Sequence, residues 1–191
     1  MRAGWLLVLT LFTSLAAAQS GSAGPQQAVP QKSALTNAPL ASQLEIFRPY
    51  LDKVWRAEMA EQNGKPQIDH ARWQRVLNGQ AIKSVHSINQ GEYGGETLIF
   101  WDKSKNSLAY YYFTTAGFYT HGTMSFDAAT QMLSAEEKVE NNANGITMVR
   151  SISQLQADRL SVKSEYLQHG KWVAGHAAVY YPTQDGEVTF R

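Results

Sequence analysis

The chain has 191 residues, with 17 Lys and Arg against 16 Asp and Glu, five His and no Cys. That length fits one ordinary domain and leaves no room for a multidomain enzyme, and the balanced charge lacks the basic excess of a nucleic-acid binder. The absence of Cys excludes disulfides, thiolate metal sites, a cysteine nucleophile and a lipid-modified N-terminal Cys, while 11% aromatic and 17% charged residues describe a folding chain.

Residues 1–18 read as a signal peptide. Arg2 gives a short basic start, an apolar run follows from Trp5 to Leu15, and Ala16, Ala17 and Ala18 supply the small residues of a cleavage site before Gln19. The run is shorter than the roughly 20 residues that span a bilayer. The expected product is exported, periplasmic or secreted, with no stable membrane insertion after cleavage. Loss of Arg2 leaves 16 basic and 16 acidic residues. Residues 19–41, with Pro25, Pro30 and Pro39 among Gln, Ser, Ala and Gly, read as a flexible linker that cannot bury enough apolar surface to fold.

From Ser42 the pattern changes. Ser42 and Glu45 have the spacing of a capping box, and Leu44, Phe47, Leu51 and Val54 recur at helical intervals. Pro49 makes this helix short or bent. Strand-like runs then follow at 55–60, 70–77, 81–88, 96–101, 108–114, 119–126, 132–139, 146–155, 160–167 and 172–181. Turn signals separate them at Asn78-Gly79, Gly94-Gly95, 102–106, Asn144-Gly145 and His169-Gly170. Eight to ten consecutive strands joined by tight turns predict an all-β, antiparallel up-and-down barrel over residues 42–182, with a tail at 183–191. A two-sheet sandwich is the alternative.

Turn geometry predicts which side chains share a face. Pairing Asn141 with Ile146 sets Val139 opposite Met148, Ala135 opposite Ile152 and Glu137 opposite Arg150, so Glu137 and Arg150 would point inward with the apolar residues. An inward Arg150 would hold a ligand carboxylate or other anion; the alternatives are an internal Glu–Arg bridge without a ligand and a bulge that turns both residues outward. A two-residue turn at His169-Gly170 sets Leu160, Val162, Ser164 and Tyr166 inward. It sets Val173, Gly175, Ala177 and Val179 inward too, and His176 outward opposite Lys163. His86 shares parity with Ile82 and Ile88 and is the better inward candidate, whereas His121 is not placed. No metal-ligand spacing, Gly-x-Ser-x-Gly elbow, phosphate loop or dinucleotide fingerprint is present, so neither a metal nor a catalytic residue is expected. In Tyr110-Tyr111-Tyr112-Phe113 and Leu98-Ile99-Phe100-Trp101 both sheet faces are apolar. One face then needs cover from the N-terminal helix, a partner subunit or a lid, which leaves a homodimer open.

The succession GETLIFWD (95–102), YYYFTTAGF (110–118), HGTMSFD (121–127) and SEYLQHGKWVAGHAAVYY (164–181) resembles an exported bacterial group of calycin-like proteins of unknown function. The resemblance implies a lipocalin-like barrel, distantly similar to fatty-acid-binding proteins and haem-binding nitrobindins. Nitrobindins carry a Gly-x-Trp near the start of the barrel and a late haem-ligating His. Here Lys53-Val54-Trp55 lacks that Gly, and the turn register turns His176 away. No cofactor is therefore expected, with haem the alternative.

The expected function is a non-catalytic carrier of a small apolar or amphipathic molecule, with Arg150, Glu137, His86, Tyr112 and Tyr166 as ligand contacts. The alternatives are a hydrolase or isomerase using His86 or His121 as base, and an envelope interaction module using the outer aromatic face.

Overall fold

Residues 38–62 and 64–191 are described in the computed structural model of the protein. The expected signal peptide and residues 19–37 of the expected linker lie outside the described residues. Period-two patterning runs through ten strands: β1 (Val54–Gln62), β2 (Lys65–Val76), β3 (Ala81–Ile88), β4 (Tyr93–Asp102), β5 (Ser107–Thr114), β6 (Tyr119–Asp127), β7 (Met132–Glu140), β8 (Ile146–Gln156), β9 (Arg159–Gln168) and β10 (Lys171–Thr183). Each pairs antiparallel with the next. β10 returns to β1 with Val54 opposite Thr183 and Ala57 opposite Tyr180, so the sheet closes into a ten-stranded barrel. Closure leaves no edge strand, and alternate side chains line the lumen.

Two boundaries differ from the sequence expectation by three residues or more, and both bear on the lumen. β2 begins at Lys65 because β1 and β2 form a tight hairpin at Gln62 and Lys65, which draws Gln67 and Asp69 into the wall. Gly94 and Gly95 are strand residues of β4 rather than a turn. The reversal comes earlier, where Asn89, Gln90 and Gly91 take positive φ.

The N-terminal helix, Ser42–Tyr50, is a 3-10 helix. Its N-cap is Ala41, without a side-chain cap bond, so the expected capping box does not form. The Glu45 carboxylate is instead held by Arg48 at 2.6 Å. The helix closes one end of the barrel. Leu44 and Phe47 are completely buried, and they pack with Trp55, Ile82, Ile99, Leu108, Leu133 and Leu160 from strands around the circumference. Phe47 stacks on Trp73 at 5.8 Å between centroids, and Trp55 Nε1–H donates to the Tyr50 carbonyl at 3.0 Å. Each such side chain contributes about 1.5–3 kcal/mol through burial, so this floor is the main apolar core.

Register decides which expected site residues reach the lumen. β7 and β8 pair as Lys138 with Met148, Glu137 with Val149, Glu136 with Arg150 and Ala135 with Ser151. This is one residue away from the expected pairing. Asn141 takes φ 63° at the turn, and β8 carries an irregularity between Ile146 and Met148. A one-residue slip exchanges the faces of a strand: Glu137 stays inward and Arg150 turns outward. β10 shows the converse. A bulge between Ala174 and Ala177 sets two residues against Ser164, which brings His176 inward and shifts the rest, so Ala178 and Tyr180 face in while Val179 faces out.

The C-terminal tail lies along the outside of β3 and β4. Thr189 N–H donates to Ser87 Oγ at 3.3 Å, and the Arg191 guanidinium reaches the carbonyls of Asn89 and Gln90. Ser87, an outward residue, is completely buried by this strap.

Candidate functional site

Above the apolar floor, the lumen carries a belt of polar side chains. Asp69 on β2 is buried at 3% exposure. It accepts the Tyr180 hydroxyl of β10 at 2.7 Å, and His86 Nδ1 of β3 lies 3.2 Å from both of its oxygens. These contacts place the His86 proton on Nδ1, so Nε2 accepts the Tyr112 hydroxyl of β5 at 2.7 Å. With the Tyr112 proton spent there, the Tyr93 hydroxyl of β4 donates to the Tyr112 oxygen at 3.1 Å. A single chain of hydrogen bonds thus runs from Tyr93 through Tyr112 and His86 to Asp69. Burial pushes the Tyr93, Tyr112 and Tyr180 hydroxyls above the ordinary tyrosine value, so all three remain donors at neutral pH.

Glycine makes room for this chain. A Cβ on Gly95, which faces the lumen beside His86, would strike the Tyr112 ring and the Phe113 carbonyl. Gly175 plays the same part at the β10 bulge, where a Cβ would meet Ser164 Oγ and the Tyr166 ring. That bulge presents His176. Its Nδ1 lies 3.0 Å from both Ser164 Oγ and the Tyr166 hydroxyl, while Nε2 has no hydrogen-bond partner among the described residues. Desolvation holds its pKa below the ordinary histidine value. The residue nevertheless keeps an exposed surface, so water reaches this part of the lumen.

Glu137 of β7 completes the belt. Its Oε2 accepts the Thr120 hydroxyl at 2.6 Å. Burial raises its pKa, against the opposing effects of Thr120, Tyr110 and His121.

Of the residues expected from sequence, Glu137, His86, Tyr112 and Tyr166 therefore line the lumen. Arg150 does not: it lies outside, paired with Glu165 at 2.6 Å and placed 4.3 Å over the Trp172 ring. His121 also faces out, 3.5 Å from Glu140 and stacked between Tyr111 and Tyr119. With Phe113 these rings form an outer quartet, in which Tyr111 and Phe113 stay 43% and 55% exposed. Nothing in the described chain covers them.

Asp69, Tyr93 and Tyr180 were missed by the sequence reading. For Asp69 the signal was present, because Gln67, Asp69, Ala71 and Trp73 share one parity from just after Pro66. A concavity of about 1130 Å³ is bounded mainly by outward residues of β6 to β10. Ser164, Gly175 and His176 line it, whereas Asp69, His86, Tyr93, Tyr112 and Glu137 do not, so the hollow meets the belt only at the β10 bulge. Among the described residues no group of three or more His, Asp or Glu is arranged to hold a metal ion.

No protein-family model and no curated protein matches the sequence. The fold is similar to that of the solved structure of Rv2717c from M. tuberculosis, with a TM-score of 0.60 and 13% identity. The match covers 76% of this chain and 100% of that one. At that identity the likeness speaks for the barrel architecture alone.

Proposed function

We propose that the protein is a non-catalytic binder that holds a small amphipathic molecule in the barrel lumen, its apolar part toward the floor and its polar part at the belt. The observation that carries this reading is the inward, solvent-reached His176, whose Nδ1 is held in place and whose Nε2 has no partner. A buried polar belt above an apolar floor is the usual composition of a ligand pocket. The enzyme alternative is weaker, because both His86 nitrogens are engaged by Asp69 and Tyr112. In keeping with residues 1–18, the protein would act outside the cytoplasm, which fractionation of its host tests directly. Native mass spectrometry of protein purified from that host is the main test. A retained small molecule, absent from a His176→Trp variant that fills the lumen, is expected; a ligand-free spectrum together with no binding of the neutral fluorophore 1-aminoanthracene overturns the reading.

A second reading is haem, within a calycin-like barrel distantly similar to nitrobindins. It is favoured by the same His176, since a metal-ligating imidazole commonly has its other nitrogen fixed by a hydrogen bond. His176 Nε2 would be the ligand, with Tyr166 and Ser164 orienting the ring, and bound haem would supply diatomic-gas or redox chemistry. Titration with hemin should give a Soret band that His176→Ala abolishes and His121→Ala retains; no band in the unaltered protein excludes this reading.

A further inference from the structure

We infer that the lumen selects an organic cation, a small molecule with an amine or quaternary ammonium group on an apolar body. This inference rests on the lumenal-binding reading and gives it a ligand class. The first ground is the distribution of charge. Asp69 and Glu137 point into the lumen, and among the described residues no Lys or Arg is paired with either. Alternation along the strands turns Arg56, Arg72, Lys83, Lys138, Arg150 and Lys163 outward. Three basic residues share the inward parity: Arg75 lies at the floor with its Nε–H donated to the Pro39 carbonyl at 2.7 Å, while Lys65 and Lys171, the first residues of β2 and β10, are exposed at the opposite end of the barrel. A carboxylate or phosphate ligand would therefore enter beside two acids with no lysine or arginine paired to them and only His176, whose pKa is lowered by desolvation, to receive it, which opposes binding in a partly desolvated site.

The second ground is aromatic. Tyr93, Tyr112 and Tyr166 stand around the two histidines, with the His86 ring 6.0 Å from Tyr93 and 5.7 Å from Tyr112. Tyrosine faces attract cations, and they do so more strongly when desolvated. The third ground is the direction of the hydrogen bonds. Every proton in the chain from Tyr93 to Asp69 points toward Asp69, so the Tyr93 oxygen is left as an acceptor. Glu137 also accepts, from the Thr120 hydroxyl at 2.6 Å and from the Tyr110 hydroxyl. An ammonium group supplies the positive charge opposite the two acids and, where it carries hydrogens, a donor to the Tyr93 oxygen. A bare metal ion fits less well, because no group of three protein ligands is assembled.

The test is displacement of 1-aminoanthracene by three probes of one shape: benzyltrimethylammonium, its neutral carbon analogue neopentylbenzene, and the anion phenylacetate. The ammonium probe should bind at least about tenfold more tightly than the neutral one, the gain expected of a desolvated aromatic and acidic site, and phenylacetate should bind worst. Glu137→Gln should reduce the advantage of the ammonium probe severalfold, with the fold checked by circular dichroism, while Arg150→Ala on the outside keeps it. Equal or tighter binding of phenylacetate overturns the inference, as does an ammonium advantage that survives Glu137→Gln. If 1-aminoanthracene binds and the probes do not rank by charge, the lumenal reading stands and the cation inference falls. If 1-aminoanthracene itself does not bind, both fall.

Discussion

Arg150 and His176 changed places relative to expectation for related reasons. Each lies on a strand whose parity is clear over most of its length and is reset at one irregular residue. Such irregularities arise from backbone conformation near a turn and from close packing such as that at Gly175, neither of which alternation records. The exchange has measurable consequences. Arg150→Ala should cause only a small loss in urea-unfolding stability, because both partners of its pair are exposed. Tyr180→Phe removes a buried donor to Asp69 and should cost about 1.5–3 kcal/mol, read as a lower urea midpoint at unchanged m. His176 and Glu137 predict opposite pH effects. The lowered pKa of His176 means that the unfolded chain takes up its proton first. Stability should therefore fall as pH drops from about 6.5 through the folded value, and His176→Gln should remove this slope. The raised pKa of Glu137 makes the unfolded carboxyl ionise first, so its contribution declines as pH rises from about 4.5 to the folded value. Glu137→Gln should flatten that second slope in urea unfolding followed from about pH 4 to 8.

At the scale of elements, all ten strands and their antiparallel order were legible in the sequence, because hairpin turns and period-two patterning are local signals. The floor was less legible. Leu44, Phe47 and Tyr50 show a helical stripe, but what the stripe covers depends on strands more than a hundred residues further on, such as β9 with Leu160. The polar belt was half legible for a related reason. His86 and Tyr112 have clear parity, whereas Asp69 and Tyr93 stand beside Pro66 and Gly94-Gly95, residues that read as breaks. The 3-10 helix predicts that Phe47→Ala costs about 3–5 kcal/mol, since it empties a site with 0% exposure between Trp73 and Tyr50. The same variant should raise proteolysis near residues 42–50 before other regions are cut, which limited digestion with mass mapping would show.

For the whole molecule, the division into an apolar floor and a polar upper lumen makes the two halves unequal in what they contribute. The floor supplies stability by burial, and the belt spends part of it by holding Asp69, Glu137 and His86 largely away from bulk water. Mutations at the belt that replace a polar pair with matched apolar residues should therefore stabilise the barrel or leave it unchanged, while abolishing ligand binding. The joint change of Asp69 and His86 to Leu with Tyr93, Tyr112 and Tyr180 to Phe, which leaves none of the linked hydroxyls unpaired, tests this by urea midpoint and 1-aminoanthracene binding. A large loss of stability would show that the hydrogen-bond chain holds the wall together. Composition foretold this division only in part: the low charge content pointed to an apolar interior, and the five tyrosines that supply its polar groups counted there as hydrophobic.

The pairing of Val54 with Thr183 also sets a condition on how the protein is made. Emerging from the ribosome first, β1 has one neighbour nearby in β2 and must wait for the last strand before its other flank is covered. Until then the growing sheet is an open ribbon with two unpaired edges, and each new hairpin only moves one of them along. A chain ending before β10 has no alternative closure, so truncation near residue 168 should give insoluble protein rather than a smaller barrel. The seam between the two ends of the sequence is thus the point at which a sticky intermediate becomes a particle without edges.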